Sequence, residues 1–211
     1  MTISQVPRNN VSDNANFQDG NLLNVQCKQQ LADGISGLLS AIGDGVDTEG
    51  TAKTPTRVAN MYDELLTGYT VDTNALLNGA LFEVEYDEMV VIKDIDFYSL
   101  CEHHLLPFYG KAHVGYLPDQ KIVGLSKIPR LVEMFARRLQ VQERMTQQIA
   151  TVMDELIEPI GVGVVVEAQH LCAAMRGVKK PNTVMTTSAV RGLFKRNSTT
   201  RDEFMGHVRH S

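Results

Sequence analysis

Residues 99–118 read SLCEHHLLPFYGKAHVGYLP, and the second half of that stretch sets the fold class. Phe108, Gly110, Ala112, Val114 and Tyr116 alternate with Tyr109, Lys111 and His113, the two-residue period of a β-strand. Immediately upstream, residues 81–99 hold Val84, Tyr86, Val90, Val91, Ile92, Ile95, Phe97 and Tyr98, a β-branched and aromatic set that predicts one or two more strands. Residues 162–168 and 183–190 are further short β-branched runs.

Helices flank these strands. After the turn at Pro118 and Asp119, Ser126 is placed to cap a helix facing inward through Leu131, Phe135 and Arg138. Met145, Ile149, Val152 and Leu156 form a second stripe whose methionines read as core. Thr200 followed by Glu203 resembles a capping box for a last helix. Towards the N-terminus, Leu23, Leu31, Ile35, Leu38, Leu39 and Ile42 recur at helical spacing until Gly43 and Gly45, and Cys27 within them reads as a small buried side chain. Thr54 and Pro55 then start a helix with Val58, Met61, Tyr62 and Leu65 on one face, ended by Gly68. The order of helices, strands, helices, strands and helix predicts α+β with largely antiparallel pairing. No internal repeat, GxGxxG fingerprint or GxxxxGK[ST] loop is present. Residues 1–20, rich in Asn, Ser, Asp and Gln, are expected to be a disordered tail, residues 21–80 an N-terminal helical region, and residues 81–211 the main folded domain.

The chain of 211 residues is 43% hydrophobic and 21% charged, enough apolar material for one or two packed domains. Its net charge of −5 argues against bulk attraction to nucleic acid or anionic membrane. The charge is uneven: residues 170–211 hold eight bases and two acids, a local +6, against 12 bases and 23 acids, a local −11, before them. An anionic ligand can therefore still be held near the C-terminal part. Three cysteines are poor material for a disulfide framework and fit a reducing cytosol. With neither a secretory signal nor a run of about 18 apolar residues, the expected location is the cytoplasm.

The densest chemistry lies in Cys101, Glu102, His103 and His104, with His170 and Cys172 downstream. Cys101 and His104 are three apart, so both can reach one ion from a turn, and Cys172 can add a third ligand from a distant strand. Thiolate and imidazole favour zinc over magnesium or calcium, and three ligands leave a position for water. His170 and Cys172, two apart, would share one face of a strand and bring an imidazole beside the metal, with His103 flanking it from the other segment. Such a set can supply hydroxide and a general acid together, which points to metal-assisted hydrolysis. On spacing alone the cluster is as readily a buried thiol with surface imidazoles. His113 reads as a surface or hydrogen-bonding residue, and His207 and His210 as solvated. Ser126, Lys127 and Arg130 at a helix start, Arg57 in the first turn of another and Arg176 beyond Cys172 can hold an anion, though each is also compatible with a solvated face. Gln142 and Glu143 sit at the break between two helical stripes and are unremarkable by composition.

Three strings carry a resemblance: residues 99–118, GLSKIPRLVEMFARRLQVQERMTQQI over residues 124–149, and the HLC segment with Arg176 and the Thr-rich stretch to GLFK. Together they closely resemble GTP cyclohydrolase I, the zinc hydrolase that opens pteridine and tetrahydrofolate biosynthesis, from about Thr54 to the C-terminus. Leu171 stands where the family is often aromatic, and Lys179 to Val184 follow its pattern loosely. The resemblance implies that Cys101, His104 and Cys172 hold Zn2+, and that GTP is hydrolysed at guanine C8. Formate leaves and the ribose carbons close into 7,8-dihydroneopterin triphosphate. It further implies proton transfer by His103 and His170, guanine recognition by Glu143 with Gln142, triphosphate contacts from Lys127, Arg130, Arg176 and Arg57, and Ser126 close to the ribose. The implied architecture is the tunnelling fold, a four-stranded antiparallel sheet with helices on one face, the sheets joining into a barrel in a homo-oligomer, typically a decamer of two pentamers with sites between subunits. Two other readings stay open. One is a zinc-stabilised binding or regulatory oligomer, in which His103, His170 and Glu143 would have no purpose. The other is a tunnelling-fold relative with changed chemistry, such as pterin synthases or deazaguanine reductases, which do not share the paired CEHH and HLC strings.

Overall fold

The computed structural model describes residues 22–77, 80–85 and 87–209. The expected tail over residues 1–20, the strand residue Tyr86 and His210 lie outside them. The chain divides into two compact units between Thr70 and Val71.

In the first unit α1 spans Val25–Ile42, α2 Thr48–Thr51 and α3 Thr54–Leu65, followed by a single 3-10 turn at Thr67–Tyr69. The Asn24 side chain caps α1 by accepting from the Cys27 N–H, and Gly43, at φ +81°, ends it in a conformation that disfavours any residue with a Cβ. The joint between α1 and α3 is polar: the buried Asp63 carboxylate accepts from the Leu23 N–H at 2.8 Å and pairs with Lys28 at 2.6 Å. Burial opposes ionisation of Asp63, but these partners outweigh it and hold the carboxyl below its usual value. Two expectations fail here. Thr54 is already helical and the preceding Lys53 makes no side-chain cap, so Pro55 alone marks the start. Met61 is 42% exposed, and the inward face is set by Ala59 and Asp63, because the polar joint takes the place of an apolar stripe.

The second unit opens with the short helix α4, Thr73–Leu77, and a two-stranded sheet of β1, Leu81–Glu83, and β4, Lys121–Val123. The main sheet is formed by β2 (Val90–Cys101), β3 (Pro107–Leu117), β6 (Gly161–His170) and β7 (Met185–Arg191), all antiparallel in that order. The two-residue β5, Leu139–Gln140, adds a parallel edge beside Leu100 and Cys101. Helices α5, Lys127–Ala136, and α6, Gln142–Ile157, cover one face. Phe108, Ala112, Val114 and Tyr116, the predicted inward set of β3, are buried to 1% or less against Ile128, Leu131, Met145, Ile149 and Met153. The architecture is α+β with largely antiparallel pairing, as the strand pattern predicts, and its antiparallel core has the four strands that the resemblance implies.

The opposite face is covered at one end, which the expectation of helices on one face did not include. There α8, Gly192–Arg196, and α9, Ser198–Arg209, build a smaller cluster of Phe194, Phe204 and Val208 over Val165. Cross-strand neighbours Gly115 and Gly163 make the socket: a Cβ on either would stand 2.6 or 2.8 Å from the Phe204 ring. α9 is capped by Asn197, whose side chain accepts from the Thr200 N–H, in place of the expected Thr200 to Glu203 box. Ser126 occupies the cap position of α5 without a side-chain bond, and Arg138 falls beyond that helix.

The second departure on this face is His113, expected near solvent but 1% exposed. The register of β2 on β3 shifts between Ile92 and Ile95, with Asp94 at φ +57°. His113 Nδ1 accepts from the Asp94 N–H at 3.2 Å, while Nε2 has no hydrogen-bond partner among the described residues and lies 3.9 Å from the Glu167 carboxylate. Lys111, also facing this irregularity, is paired with Asp94 at 2.9 Å. His207, in contrast, is exposed as expected.

Gly115→Ala should destabilise the protein by about 1–3 kcal/mol through overpacking, and Phe204→Leu in that background should restore part of the loss in urea unfolding. Burial holds His113 below its ordinary value of 6.5, the carboxylates of Asp94 and Glu167 only partly opposing it. The unfolded chain therefore takes up this proton first, so the contribution of His113 to stability is complete above 6.5 and declines as pH falls through the folded-state value. Denaturant midpoints between pH 7.5 and 5 should fall more steeply for the native sequence than for His113→Gln.

Candidate active site

β2 ends at Cys101, and a tight turn returns the chain to β3. The Cys101 carbonyl accepts from the N–H groups of His104 and Leu105, the Cys101 N–H donates to the Leu106 carbonyl at 2.9 Å, and Leu105 takes φ +54°. This reversal folds His104 back towards Cys101, with Nδ1 4.0 Å from Cys101 Sγ. The third residue arrives from the far end of β6. Cys172 lies in α7, Leu171–Ala174, which begins directly after His170, and so is not on a strand as the two-residue spacing suggests. The short helix nevertheless delivers it: one ligand atom each from Cys101, His104 and Cys172 lie within 4.8 Å of one another.

That donor set fits a metal ion. Zn–S and Zn–N bonds of about 2.0–2.3 Å place tetrahedral ligands roughly 3.3–3.8 Å apart, a small contraction from the separations seen. Burial, with Cys101 beside it, pushes the Cys172 thiol up, and Arg176 offsets this only in part. The Cys172 thiol is thus poorly suited to ionise alone, and a bound cation would favour its thiolate. Cys101 is buried while His104 is exposed, so the cluster opens to solvent on its imidazole side.

His170, the last residue of β6, is fixed twice. It pairs in register with Phe108 of β3, and the two rings stack in parallel at 4.7 Å with 1° between planes. Its Nε2 lies 2.8 Å from Gln142 Oε1. Gln142 is fully buried, and its amide nitrogen donates to the carbonyls of Val166 and Met185 and to Thr187 Oγ1. Because carbonyl oxygens can only accept, the amide orientation is settled by its surroundings, and Oε1 must accept from His170 Nε2–H. The neutral imidazole therefore keeps its lone pair at Nδ1. Burial lowers the His170 pKa, and the neighbouring Glu143 carboxylate partly restores it. The Gln142 amide is committed inside the fold, where its work is to hold His170.

Glu143, the next residue in the first turn of α6, is exposed. His103 is exposed on the same turn, its Nδ1 4.0 Å from Cys101 Sγ and its Nε2 3.9 Å from the Glu102 carboxylate. Ser126 and Arg130 are exposed at the start of α5, whereas the Lys127 ammonium donates to the Leu76 carbonyl at 2.7 Å. Arg176 is exposed beyond α7. Arg57 is exposed on α3 of the first unit. The structure thus gathers Cys101, His104 and Cys172 in one cluster, with His103 beside it, and sets His170 against Gln142 and within the electrostatic reach of Glu143. Phe108 was missed as a site residue, since an apolar residue on the inward face of a strand carries no local sign of the ring stacked on it.

The GTP cyclohydrolase I family profile matches residues 31–209. A protein of Leptospira biflexa named GTP cyclohydrolase 1 is 56% identical over 175 residues, covering 83% of this chain and 96% of its own. Proteins of the same name are 55% identical over 181 residues in Campylobacter jejuni, covering 86% and 95%, and 51% identical over 180 residues in Gloeobacter violaceus, covering 85% and 84%. Among solved structures, the apo archaeosine synthase QueF-Like has a TM-score of 0.41 at 15% identity, covering 51% of this chain and 97% of that one. With the profile matched across most of its length and relatives at more than half identity, the chain belongs to the GTP cyclohydrolase I family.

Proposed function

We propose that this protein converts GTP and water to 7,8-dihydroneopterin triphosphate and formate, the entry step of tetrahydrofolate and pteridine biosynthesis, with Zn2+ held by Cys101, His104 and Cys172. The observation that carries the reading is a Cys-His-Cys cluster together with an imidazole, His170, whose tautomer is fixed by a buried amide. When bound, the metal supplies Lewis acidity that makes water a nucleophile near neutral pH. No helix among the described residues is long and apolar enough to cross a membrane, and operation in the cytoplasm belongs to the proposal.

The chain's own residues then divide the work. Attack at guanine C8 places electrons on the five-membered ring, so a proton delivered to N7 lowers the barrier. His170 can take that proton at Nδ1 and pass it on while Nε2–H stays on Gln142, so the ring does not turn between steps. His103, exposed on the ligand turn, serves as the second proton carrier. Glu143 accepts from N1–H and the 2-amino group of guanine, donors that adenine lacks, so ATP would leave the carboxylate unpaired. Lys127, Arg130, Arg176 and Arg57 contact the triphosphate and Ser126 lies near the ribose. The net charge of −5 is compatible with this, because placed cations rather than overall charge hold the anion.

Self-association as a decamer of two pentamers is part of the same proposal. Within the described chain β7 has a sheet neighbour on one side only, and Leu125, Met175 and Val178 near the site are 63–71% exposed. A second copy pairing at this edge would give β7 its missing neighbour, and subunit contacts elsewhere would cover the apolar residues.

Metal-loaded protein given GTP should release formate and a pterin that fluoresces after oxidation; no product would sink the reading. His103→Ala should keep its zinc and lose at least about 100-fold in turnover, whereas Cys101→Ser, His104→Ala and Cys172→Ser should lose the metal. Metal analysis beside the product assay separates the two classes of variant.

A further inference from the structure

Between the proposed metal ligand Cys101 and the proposed proton carrier His103 stands Glu102, whose carboxylate faces the start of α6 with Oε1 also 3.9 Å from His103 Nε2. Arg144, in the first turn of that helix, meets it with a two-pronged contact: one terminal nitrogen donates to Oε1 at 3.3 Å and the other to Oε2. The same guanidinium donates from Nε to Gln140 Oε1 at 3.1 Å and from a terminal nitrogen to the Leu139 carbonyl at 3.2 Å. Gln140 is itself buried, its amide nitrogen bound to the Phe135 carbonyl and to Gln148 Oε1. Its carbonyl receives the Glu102 N–H at 3.0 Å, next to the bridge between Cys101 and Gln140. The Arg144 guanidinium holds the Glu102 carboxyl below the usual carboxylate range.

We propose that Arg144 is a positioning residue for the metal centre: through Glu102 it clamps the Cys101–His104 turn onto β5 and α6. An ordinary surface ion pair contributes little, and this one is partly exposed. What sets it apart is the planar fork shared between a carboxylate and two acceptors on the element that already pairs with Cys101. A fork of this kind fixes direction as well as distance, which a lysine ammonium does not. The consequence falls on the ligands. Glu102 is the link between Cys101 and His103, so releasing it frees the turn to rotate and spread the three donor atoms. The first turn of α6 thereby serves both halves of the site, with Gln142 fixing His170 on β6 and Arg144 fixing the turn after β2.

The inference rests on the proposed metal centre and not on the identity of the substrate. Its test is zinc affinity, measured by chelator competition on the intact protein, in Arg144→Met, Arg144→Lys and Glu102→Gln, with circular dichroism to establish that each is folded. Outer partners of metal ligands typically account for about 10–100-fold in affinity, and that loss is expected in all three, the lysine variant included. The double variant Arg144→Met with Glu102→Gln should be no worse than either single one, as for two residues acting as a unit. For GTP, kcat should fall while KM stays within about twofold of the native value. Unchanged zinc affinity in folded variants overturns the proposal. A raised KM with kcat and zinc affinity intact also overturns it and makes Arg144 a substrate contact. If the native protein binds zinc but yields no pterin from GTP, the functional reading fails while the affinity series still decides the clamp.

Discussion

The antiparallel register of β3 on β6 is the constraint on which the site depends. It runs from Leu117 opposite Gly161 to Phe108 opposite His170 without a break. Because strand side chains alternate between faces, a slip of one residue would turn His170 away from Phe108 and move Val162, Val164 and Val166 out of the core. Burial of that apolar face against α5 and α6 fixes the register, and the register in turn places the chemistry at the sheet's end. Gly110 belongs to the same constraint: a Cβ there would lie 1.9 Å from the Glu167 carbonyl of the neighbouring strand. Its small size keeps the two strands close two residues from the His170 pairing.

Helix α6 is the second organising element. Its middle is buried through Met145, Ile149 and Met153, which anchors it to the sheet. Its first turn is polar and points at the site. Gln142 reaches β6 and β7, and Arg144 reaches β5 and the turn after β2. A helix anchored by apolar contacts thus carries the polar groups that align chemistry arising on separate strands. Buried amides need every partner satisfied, and Gln142 achieves this with three acceptors and one donor.

Much of this was legible from local pattern. Alternation over residues 108–116 marks β3, and helical spacing marks α1, α5 and α6 within a few residues. The three-residue gap between Cys101 and His104 points to a shared ion. What local pattern missed has a common physical cause. Ser126, Thr54 and Thr200 are residue types that cap helices, but the cap is made by whichever neighbour has the right backbone geometry, and at α9 that is Asn197. His113 looks like a surface residue because strand alternation assigns it to the polar face, and no local spacing foretells the register shift of β2 that brings the Asp94 N–H onto its ring. Gln142 looks like a solvated residue at a helix break, since its partners lie 24 to 45 residues away.

The sequence by itself determined the α+β class, the strand and helix order, and the set of residue types able to bind a metal and move protons, because these follow from short-range periodicity and side-chain chemistry. Only the tertiary structure decided that Cys172 arrives on a helical turn, that the Gln142 amide holds His170, and that Arg144 meets Glu102 on the turn after β2. Those roles depend on which distant groups the β3–β6 register and the packing of α6 bring within hydrogen-bond reach. That proximity is a property of the folded chain, and no local spacing encodes it.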